Sequence, residues 1–270
     1  MTPSRALLIK LGGSLLTDKE VPETAHFGRI DRLARELVAA SAIARERGER
    51  IVLGHGSGSF GHVAAAAAGL GRGPVAAAAL TGASRTQEQA AALHRIVIDA
   101  LARAGLAPFS FAPSSFVVAE AGRPAASFLE PLARALEAGL LPVVYGDVVL
   151  DRSWTASICS TEAALTEVAR GLPAFGIGIS RALWLGETDG VYDAAGRTIP
   201  HIAALDDPAL GSGALGTSRG TDVTGGMRLR VETCLALAAL GIPSTILDGR
   251  PEGSLLAAVR GDDVSGTRIG

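Results

Sequence analysis

The sequence predicts an α/β fold, a three-layer αβα sandwich around a mostly parallel central sheet. Throughout the 270 residues, short apolar runs typical of buried strands alternate with longer segments that carry apolar residues at helical spacing. The connections between strands are long enough to hold a helix, which favours parallel strands joined by crossovers. Because 48% of the residues are apolar, a large core is available, and we expect a single domain over residues 1–270.

Composition excludes several classes of function. A net charge of -2 and a pI near 6.2 argue against a protein that binds nucleic acid or a membrane surface electrostatically. Cys159 and Cys234 stand apart in apolar surroundings, so neither a disulfide framework nor a zinc site is expected. No charged-then-apolar leader opens the chain and no apolar run approaches about 18 residues, so we expect a cytoplasmic protein.

The first predicted strand, Arg5–Leu11, contains a lysine near its end. Lys10 stands beside Gly12, Gly13 and Ser14, in a chain where lysine is rare. A lysine at the end of a buried strand is costly unless it is paired, and the adjoining glycines favour a phosphate-binding charge over a surface lysine. Apolar residues at helical spacing then predict an amphipathic helix over 29–46.

A second strand leads into a glycine-rich loop. The apolar run after Arg50 is followed by four glycines from position 54 to position 61, and an alanine-rich helix is predicted over 63–68. A strand, a glycine loop and a helix N-terminus together form a common anion site, because the free N–H groups of the first helical turn point at the ligand. His62 closes the loop. We therefore predict a phosphate site here.

The remaining elements continue the alternation. An acidic residue, Asp147, lies in the middle of the predicted strand or strand pair 141–150, and Ser160 or Thr161 is expected to cap the helix that follows. Residues 206–222 are polar and glycine-rich and are predicted to form a loop. The other predicted strands are 108–119, 182–185 and 242–247, and the other predicted helices are 86–104, 129–138, 160–170, 227–240 and 254–259.

Two motif matches are weak. Residues 56–61 fit the dinucleotide pattern G-x-G-x-x-G, but they follow the second strand, and no acidic residue ends a strand about 20 residues later. Residues 216–220 fit the nucleophile-elbow pattern, but no apolar strand precedes them. We interpret the second match as chance, and the first does not by itself indicate a dinucleotide site.

Three glycine sites near strand ends remain: 12–13, 54–61 and 225–226. In an open parallel sheet, ligands gather at the carboxyl ends of the strands. Several phosphate-binding glycine segments at the same edge of the sheet could bind two phosphate-bearing molecules that face each other. That arrangement favours phosphoryl transfer, in which catalysis consists mainly of positioning and charge stabilisation.

These residues also resemble a known family. The resemblance is to the amino acid kinase superfamily, and within it to the isopentenyl phosphate kinases, and it covers nearly the whole chain in the family's order. It implies an amino acid kinase-like fold. The matching segments are Lys10-Leu-Gly-Gly-Ser14, Gly56-Ser-Gly-Ser-Phe-Gly-His62, Pro142-Val-Val-Tyr-Gly-Asp147-Val-Val-Leu-Asp151, Thr188-Asp-Gly-Val-Tyr192 and Asp222-Val-Thr-Gly-Gly-Met227.

The resemblance implies roles for the matching residues. Lys10 and Lys19 would neutralise charge on the transferring group, Asp147 would orient the lysines, and His62 would bond the acceptor phosphate. The implied nucleotide site would be formed by Lys10, Gly12, Gly13, Ser14, Gly58, Asp189, Tyr192, Gly226 and Arg230. The implied acceptor site would be formed by Gly56, Ser57, Gly61, His62, Gly146 and Ser157, with backbone N–H groups of Gly56 and Gly58 reaching the phosphates.

The chain departs from the family pattern at two places. Arg230 stands where the family usually has a lysine, and the two cations are not equivalent because the guanidinium is a planar fork. The helix predicted after Ile158 begins Ser160-Thr161-Glu162, where many members have Ser-Gly-Asp-Asp. The remaining histidines, His26, His55, His94 and His201, are interpreted as structural.

As implied by the resemblance, the chain is an ATP-dependent and Mg²⁺-dependent kinase that phosphorylates a prenyl monophosphate. An N-terminal lobe, approximately 1–172, would bind the acceptor, and a C-terminal lobe, 173–270, would bind the nucleotide. We expect small-molecule substrates, no nucleic acid, no membrane and a homodimer. Two alternatives stay open here: a kinase of a small phosphonate such as fosfomycin, and a non-catalytic nucleotide-binding or storage protein of the same fold.

Overall fold

The fold is taken from a computed structural model of the chain. It describes residues 5–18, 20–71, 73–76, 79–206, 210 and 226–270, and for residues 62 and 63 the backbone only. Lys19 and most of the predicted loop 206–222 lie outside the described residues. Within the described ranges, no helix has both the length and the apolar character needed to cross a membrane.

The observed elements alternate as expected. The strands are β1 Arg5–Leu11, β2 Glu49–His55, β3 Pro108–Phe111, β4 Val117–Glu120, β5 Arg123–Ser127, β6 Leu141–Tyr145, β7 Asp147–Asp151, β8 Thr155–Cys159, β9 Gly178–Gly186, β10 His201–Ile202, β11 Ser244–Asp248 and β12 Gly266–Ile269. The α-helices are α1 Gly13–Leu16, α2 Phe27–Glu46, α3 Gly58–Ala67, α4 Leu80–Arg103, α5 Pro113–Phe116, α6 Glu130–Glu137, α7 Thr161–Gly171, α8 Gly226–Ala238 and α9 Ser254–Arg260.

An eight-stranded sheet in the order β10-β12-β11-β9-β1-β2-β6-β3 forms the centre of the molecule. Its neighbouring strands are parallel except for β11 and β12. A smaller sheet, β5-β4-β7-β8, is built mainly from two hairpins. The mostly parallel central sheet is confirmed, and the smaller sheet is an addition to the prediction.

Helices cover both faces of the central sheet. On one face, the buried residues Leu33 of α2, Leu93 of α4 and Leu255 of α9 belong to one apolar cluster. On the other face, a second cluster surrounds the fully buried Trp184 of β9 and includes Leu165 of α7. Parallel sheets are stable when both faces are covered, which explains the near-continuous apolar runs of the central strands.

Two predicted boundaries are wrong. The predicted strand 108–119 is interrupted by the short helix α5, because Pro113 has no N–H for the ladder and fits the first turn of a helix. The strand pair that was one of the two interpretations of 141–150 is confirmed, and its two strands enter different sheets on either side of Gly146. Helix α3 begins at Gly58 rather than residue 63, so the end of the glycine loop is itself helical.

Candidate active site

A row of glycines lies at the carboxyl ends of four neighbouring central strands. Residues Leu11, His55 and Tyr145 are paired across β1, β2 and β6, and Leu185 of β9 pairs with Leu11. The residue after each of these four is a glycine: Gly12, Gly56, Gly146 and Gly186. Because the strands are parallel, these glycines lie at the same edge of the sheet, where ligands of such sheets bind.

Two of the glycine segments pack backbone against backbone. A Cβ atom added to Gly13 would lie 2.5 Å from the nitrogen of Gly58, and one added to Gly56 would lie 2.6 Å from the nitrogen of Gly13. Thr17 joins the two segments, since its hydroxyl accepts from the N–H of Ser59 and donates to the carbonyl of Gly13, both at 3.0 Å. The glycines therefore allow α1 and the start of α3 to meet.

Gly56→Ala tests this close packing. The added methyl would force the two segments apart, so we expect the free energy of unfolding to fall by about 2 kcal/mol. Gly28→Ala is the matched control, because a Cβ at Gly28, on α2, meets nothing within 4 Å. Urea denaturation should show the control neutral or stabilised by less than about 1 kcal/mol. Equal effects of the two changes would contradict the packing argument.

The N-termini of α3 and α7 meet beside Gly146. A Cβ atom added to Gly146 would lie 3.7 Å from the nitrogens of both Ser57 and Thr161, and 3.3 Å from Oγ1 of Thr161. Ser160 caps α7 by accepting from the N–H of Ala163 at 3.1 Å. Two helix N-termini so close together present several N–H groups with positive partial charge, which suits a phosphate group.

One predicted phosphate donor is not available. The N–H of Gly56 donates to the carbonyl of Leu11 at 2.9 Å, and the N–H of Gly12 donates to the carbonyl of Leu185 at 2.7 Å. The expectation that the Gly56 N–H reaches a phosphate is therefore corrected. Both bonds continue the sheet, which holds the glycine row in place.

A buried cluster of charges adjoins this edge. Nζ of Lys10 lies 2.7 Å from Oε1 of Glu162, and Nε of Arg230 lies 3.9 Å from the same oxygen. Lys10 is only 5% exposed and Glu162 only 8%. Nε of Arg230 is buried without a hydrogen-bond partner among the described residues. Among the described residues, two cations share the carboxylate of Glu162, an arrangement that suits a site for an anion.

The carboxylate of Glu162 is ionised in this setting. Burial alone would raise its pKa, but the positive charges of Lys10 and Arg230 outweigh burial, and its pKa is lowered from the ordinary value. Glu162 lies in the first turn of α7, where the helix dipole also favours a negative charge. Glu162 therefore serves as the common partner of the two cations.

Asp147 is placed differently from the prediction. Its carboxylate accepts from the N–H of Ser114 at 3.1 Å and from its own neighbour Val148 at 2.8 Å, so it caps the short helix α5. Burial outweighs these bonds and raises the pKa of Asp147. The carboxylate in contact with Lys10 is that of Glu162. The expectation that Asp147 orients Lys10 is corrected in favour of Glu162, and the expectation that it orients Lys19 concerns a residue outside the described ranges.

Beyond β9, the chain forms a polar turn. Oδ1 of Asp189 accepts from the hydroxyl of Tyr192 at 2.6 Å, and Oδ2 accepts from the hydroxyl of Thr198 at 3.0 Å. The bond from Tyr192 makes the largest contribution to a lowered pKa of Asp189. These bonds hold the turn that was predicted to border a nucleotide.

The other predicted site residues are spread over the same region or lie outside it. Lys19 is outside the described residues, and of His62 only the backbone, within α3, is described. Gly226 begins α8 with a φ of 54°.

Arg230 lies close to the glycine row, since its Nη1 would lie 3.1 Å from a Cβ at Gly186. Ser14 and Gly61 lie on α1 and α3, and the buried Ser157 lies on β8 opposite Val149.

Sequence reasoning missed three contributors to the site: Glu162, Thr17 and Thr161. Thr161 donates from its hydroxyl to the carbonyl of His55 at 2.7 Å and so joins α7 to β2. The position of Glu162 in the first turn of a helix after a strand was visible in the sequence, but its contact with residues 152 positions away was not.

Comparisons with known proteins agree with this geometry. The profile of the amino acid kinase family matches residues 5–248. The chain is 34% identical to an isopentenyl phosphate kinase of Methanothermobacter thermautotrophicus over 97% of this chain and 98% of that protein. It is 35% identical to the isopentenyl phosphate kinase of Haloferax volcanii over 95% of each. A solved isopentenyl phosphate kinase structure, 29% identical, superposes with a TM-score of 0.80 over 98% of this chain and all of the other.

Proposed function

This chain belongs to the amino acid kinase family, and from that premise we propose that it transfers the γ-phosphoryl group of ATP to isopentenyl phosphate or a related prenyl monophosphate, forming the diphosphate. The observation that carries the proposal is the Lys10–Glu162–Arg230 cluster beside two helix N-termini. Near-full-length relatives are named isopentenyl phosphate kinases. The enzyme is thus a phosphotransferase with a phosphate group as acceptor.

The geometry supports a mechanism of positioning and charge stabilisation. The acceptor phosphate is already ionised, so its attack on the γ-phosphorus needs no carboxylate base. Negative charge spreads over the equatorial oxygens of the transferred group, and we propose that Lys10 neutralises that charge. Glu162 holds the ammonium of Lys10 in place, and Arg230 supplies a second cation.

We assign the backbone N–H groups at the start of α3 to the acceptor phosphate. They belong to Ser57 and Gly58, and the N-terminus of α7 faces the same space. Lys19 and His62 remain proposed catalytic residues, as the family resemblance implies. The proposed acceptor site also includes Gly61, Gly146 and Ser157, and the proposed nucleotide site includes Gly12, Gly13, Ser14, Asp189, Tyr192, Gly226 and Arg230.

Magnesium is proposed to arrive with ATP as part of the substrate. Nowhere in the described part of the chain do three or more His, Cys, Asp or Glu side chains come together in a group that could hold a metal ion. Mg²⁺ keeps several waters and commonly binds through substrate phosphates, so a site built mainly by the triphosphate fits this donor set. Bound there, the ion would neutralise charge on the β and γ phosphates.

The roles of the two lobes, the oligomeric state and the location of the protein are part of the same proposal. We place acceptor binding in residues 1–172 and nucleotide binding in residues 173–270, with β1 and β9 paired at the centre of one sheet. A cytoplasmic homodimer is proposed, and its mass can be measured by light scattering.

The function is tested by measuring ATP consumption with Mg²⁺ against isopentenyl phosphate, dimethylallyl phosphate, geranyl phosphate and fosfomycin. We expect turnover on at least one prenyl phosphate and none on fosfomycin. The reverse result would identify a phosphonate kinase. ATP binding without turnover on any of the four would favour a non-catalytic protein.

His62→Ala tests the proposed contact with the acceptor phosphate. Loss of one donor to the transferring groups should lower kcat by about 10²-fold. His201→Ala is the control, because His201 is exposed on β10, and it should leave kcat unchanged. Steady-state kinetics with a saturating prenyl phosphate measures both, and unchanged kcat in His62→Ala would remove this role.

A further inference from the structure

Two buried histidines lie directly behind the glycine row. His55 is the last residue of β2, and His94 lies on α4. Nε2 of His55 is 2.9 Å from Nδ1 of His94, and Nε2 of His94 is 2.8 Å from the hydroxyl of Ser110, which is exposed on the edge strand β3. Tyr145 stacks on the ring of His94 with centroids 4.2 Å apart. The mechanism above uses neither ring.

The chemistry of the partners fixes the direction of these bonds. Nδ1 of His55 lies 3.1 Å from the carbonyl oxygen of Gly56, which can only accept, so Nδ1 carries the proton. Nε2 of His55 must then accept from Nδ1 of His94, and Nε2 of His94 must accept from Ser110. Each neutral ring therefore has a single tautomer, and the three ring bonds run from Ser110 to Gly56.

Both rings are neutral at physiological pH. Burial, the largest cause, lowers the pKa of His55 to about 4 and that of His94 to about 2. The charges that face the pair, Lys10 from β1 and Arg95 from α4, act in the same direction. A neutral ring keeps one donor and one acceptor, which the directed chain of bonds requires.

The chain of bonds controls the peptide that enters the phosphate site. In a trans peptide the C=O and the following N–H point in opposite directions. When His55 holds the carbonyl of Gly56, the N–H of Ser57 must point away from the histidines. The nitrogen of Ser57 is one of the two that lie 3.7 Å from the Cβ position of Gly146, beside the N-terminus of α7. A reversed peptide would instead present a carbonyl oxygen to the anion.

We propose that His55 and His94 are positioning residues whose directed hydrogen bonds, anchored at Ser110, hold the Gly56–Ser57 peptide so that its N–H faces the acceptor phosphate. The inference rests on the proposed function for the identity of the anion. The tautomers do not depend on that function and can be tested separately.

Nitrogen NMR of the histidine rings in the free wild-type protein tests the tautomers. Between pH 5 and pH 8 we expect His55 and His94 to remain neutral with the proton on Nδ1. An Nε2–H tautomer, or protonation of either ring between pH 5 and pH 8, would overturn the proposal. This readout needs no substrate, so it also decides the proposal if prenyl phosphates prove not to be substrates.

Kinetics of His94→Leu and His94→Asn test whether the orientation of the Gly56–Ser57 peptide affects binding of the acceptor. The leucine removes the donor to His55, and we expect the KM for the prenyl phosphate to rise about fivefold while the KM for ATP stays unchanged. The asparagine amide can still donate to His55, so it should recover most of the loss. Equal changes in both KM values, or an asparagine variant no better than the leucine variant, would indicate a merely structural role and overturn the proposal.

Ser110→Ala provides a variant that keeps the fold if His94→Leu does not express. Ser110 is exposed, so its loss removes only the outermost bond. We expect a rise in the acceptor KM smaller than that of His94→Leu, with His94 losing its fixed tautomer in the NMR spectrum. An unchanged His94 tautomer together with an unchanged KM would contradict the anchoring role.

Discussion

Lys10→Met is expected to lower kcat for phosphoryl transfer by about 10³-fold, because one cation placed at the transferred group contributes on this scale. Methionine has nearly the length of lysine and fills the same buried space without the charge. The positive charge left in the cluster would be that of Arg230, whose Nε lies 3.9 Å from Glu162. Steady-state rates with saturating ATP and prenyl phosphate measure the loss.

A control must separate lost charge from lost stability. Removing Lys10 takes away the closest partner of Glu162, and breaking a buried pair costs about 3 kcal/mol. The double variant Lys10→Met/Glu162→Gln removes both charges, so it should regain part of that stability without regaining activity. A single variant that keeps kcat within tenfold of the wild type would contradict the assignment of Lys10 to the reacting groups.

The sequence was informative where local chemistry decides the structure. The strand Arg5–Leu11 is confirmed in full, because an apolar run broken only by Lys10 is typical of a strand covered on both faces. The helix predicted over 160–170 is observed as Thr161–Gly171, because Ser160 provides a recognisable cap. The strand predicted over 108–119 is wrong. The prediction relied on the apolar pattern of the segment, whereas in the structure Pro113 ends the strand and begins a short helix.

The site was less predictable, because its decisive contacts join distant parts of the chain. Glycines at strand ends indicated an anion site, but their alignment in one row depends on the register of four strands. Asp147 and Glu162 are both acidic residues near strand ends, and nothing local tells which one meets Lys10. Asp147 bonds to backbone N–H groups nearby, whereas Glu162 reaches Lys10 only after the crossover helix α7 packs on the sheet.

The departures at Glu162 and Arg230 belong together in space. The sequence showed them as two separate differences from the family pattern, and the structure brings both side chains to the same oxygen atom. A glutamate extends further from its helix than an aspartate, and an arginine is longer than a lysine. The two altered side chains can therefore carry the same charges as the family's aspartate and lysine while extending further from their helices.

Glu162→Gln is expected to destabilise the fold by about 3 kcal/mol at pH 7, because it leaves Lys10 and Arg230 buried together without their shared anion. The folded-state pKa of Glu162 is lowered, so its charge stabilises the native state above its unfolded pKa of about 4.3, and the stabilisation disappears as pH falls through the lower folded value. The difference between wild type and variant should therefore be full at pH 7 and shrink below about pH 4.

Urea denaturation at pH 7 and pH 3 measures this difference, and Glu167→Gln on the same helix is the matched control. Glu167 pairs with the exposed Arg170 at 3.3 Å, so its loss should change stability by less than about 1 kcal/mol at either pH. The same Glu162→Gln protein should also lose kcat by about 10²-fold, because the ammonium of Lys10 is no longer held at the transferred group. A variant with the stability and acid sensitivity of the wild type would show that Lys10 finds its position without Glu162, and the charge cluster could then not be the element that organises the site.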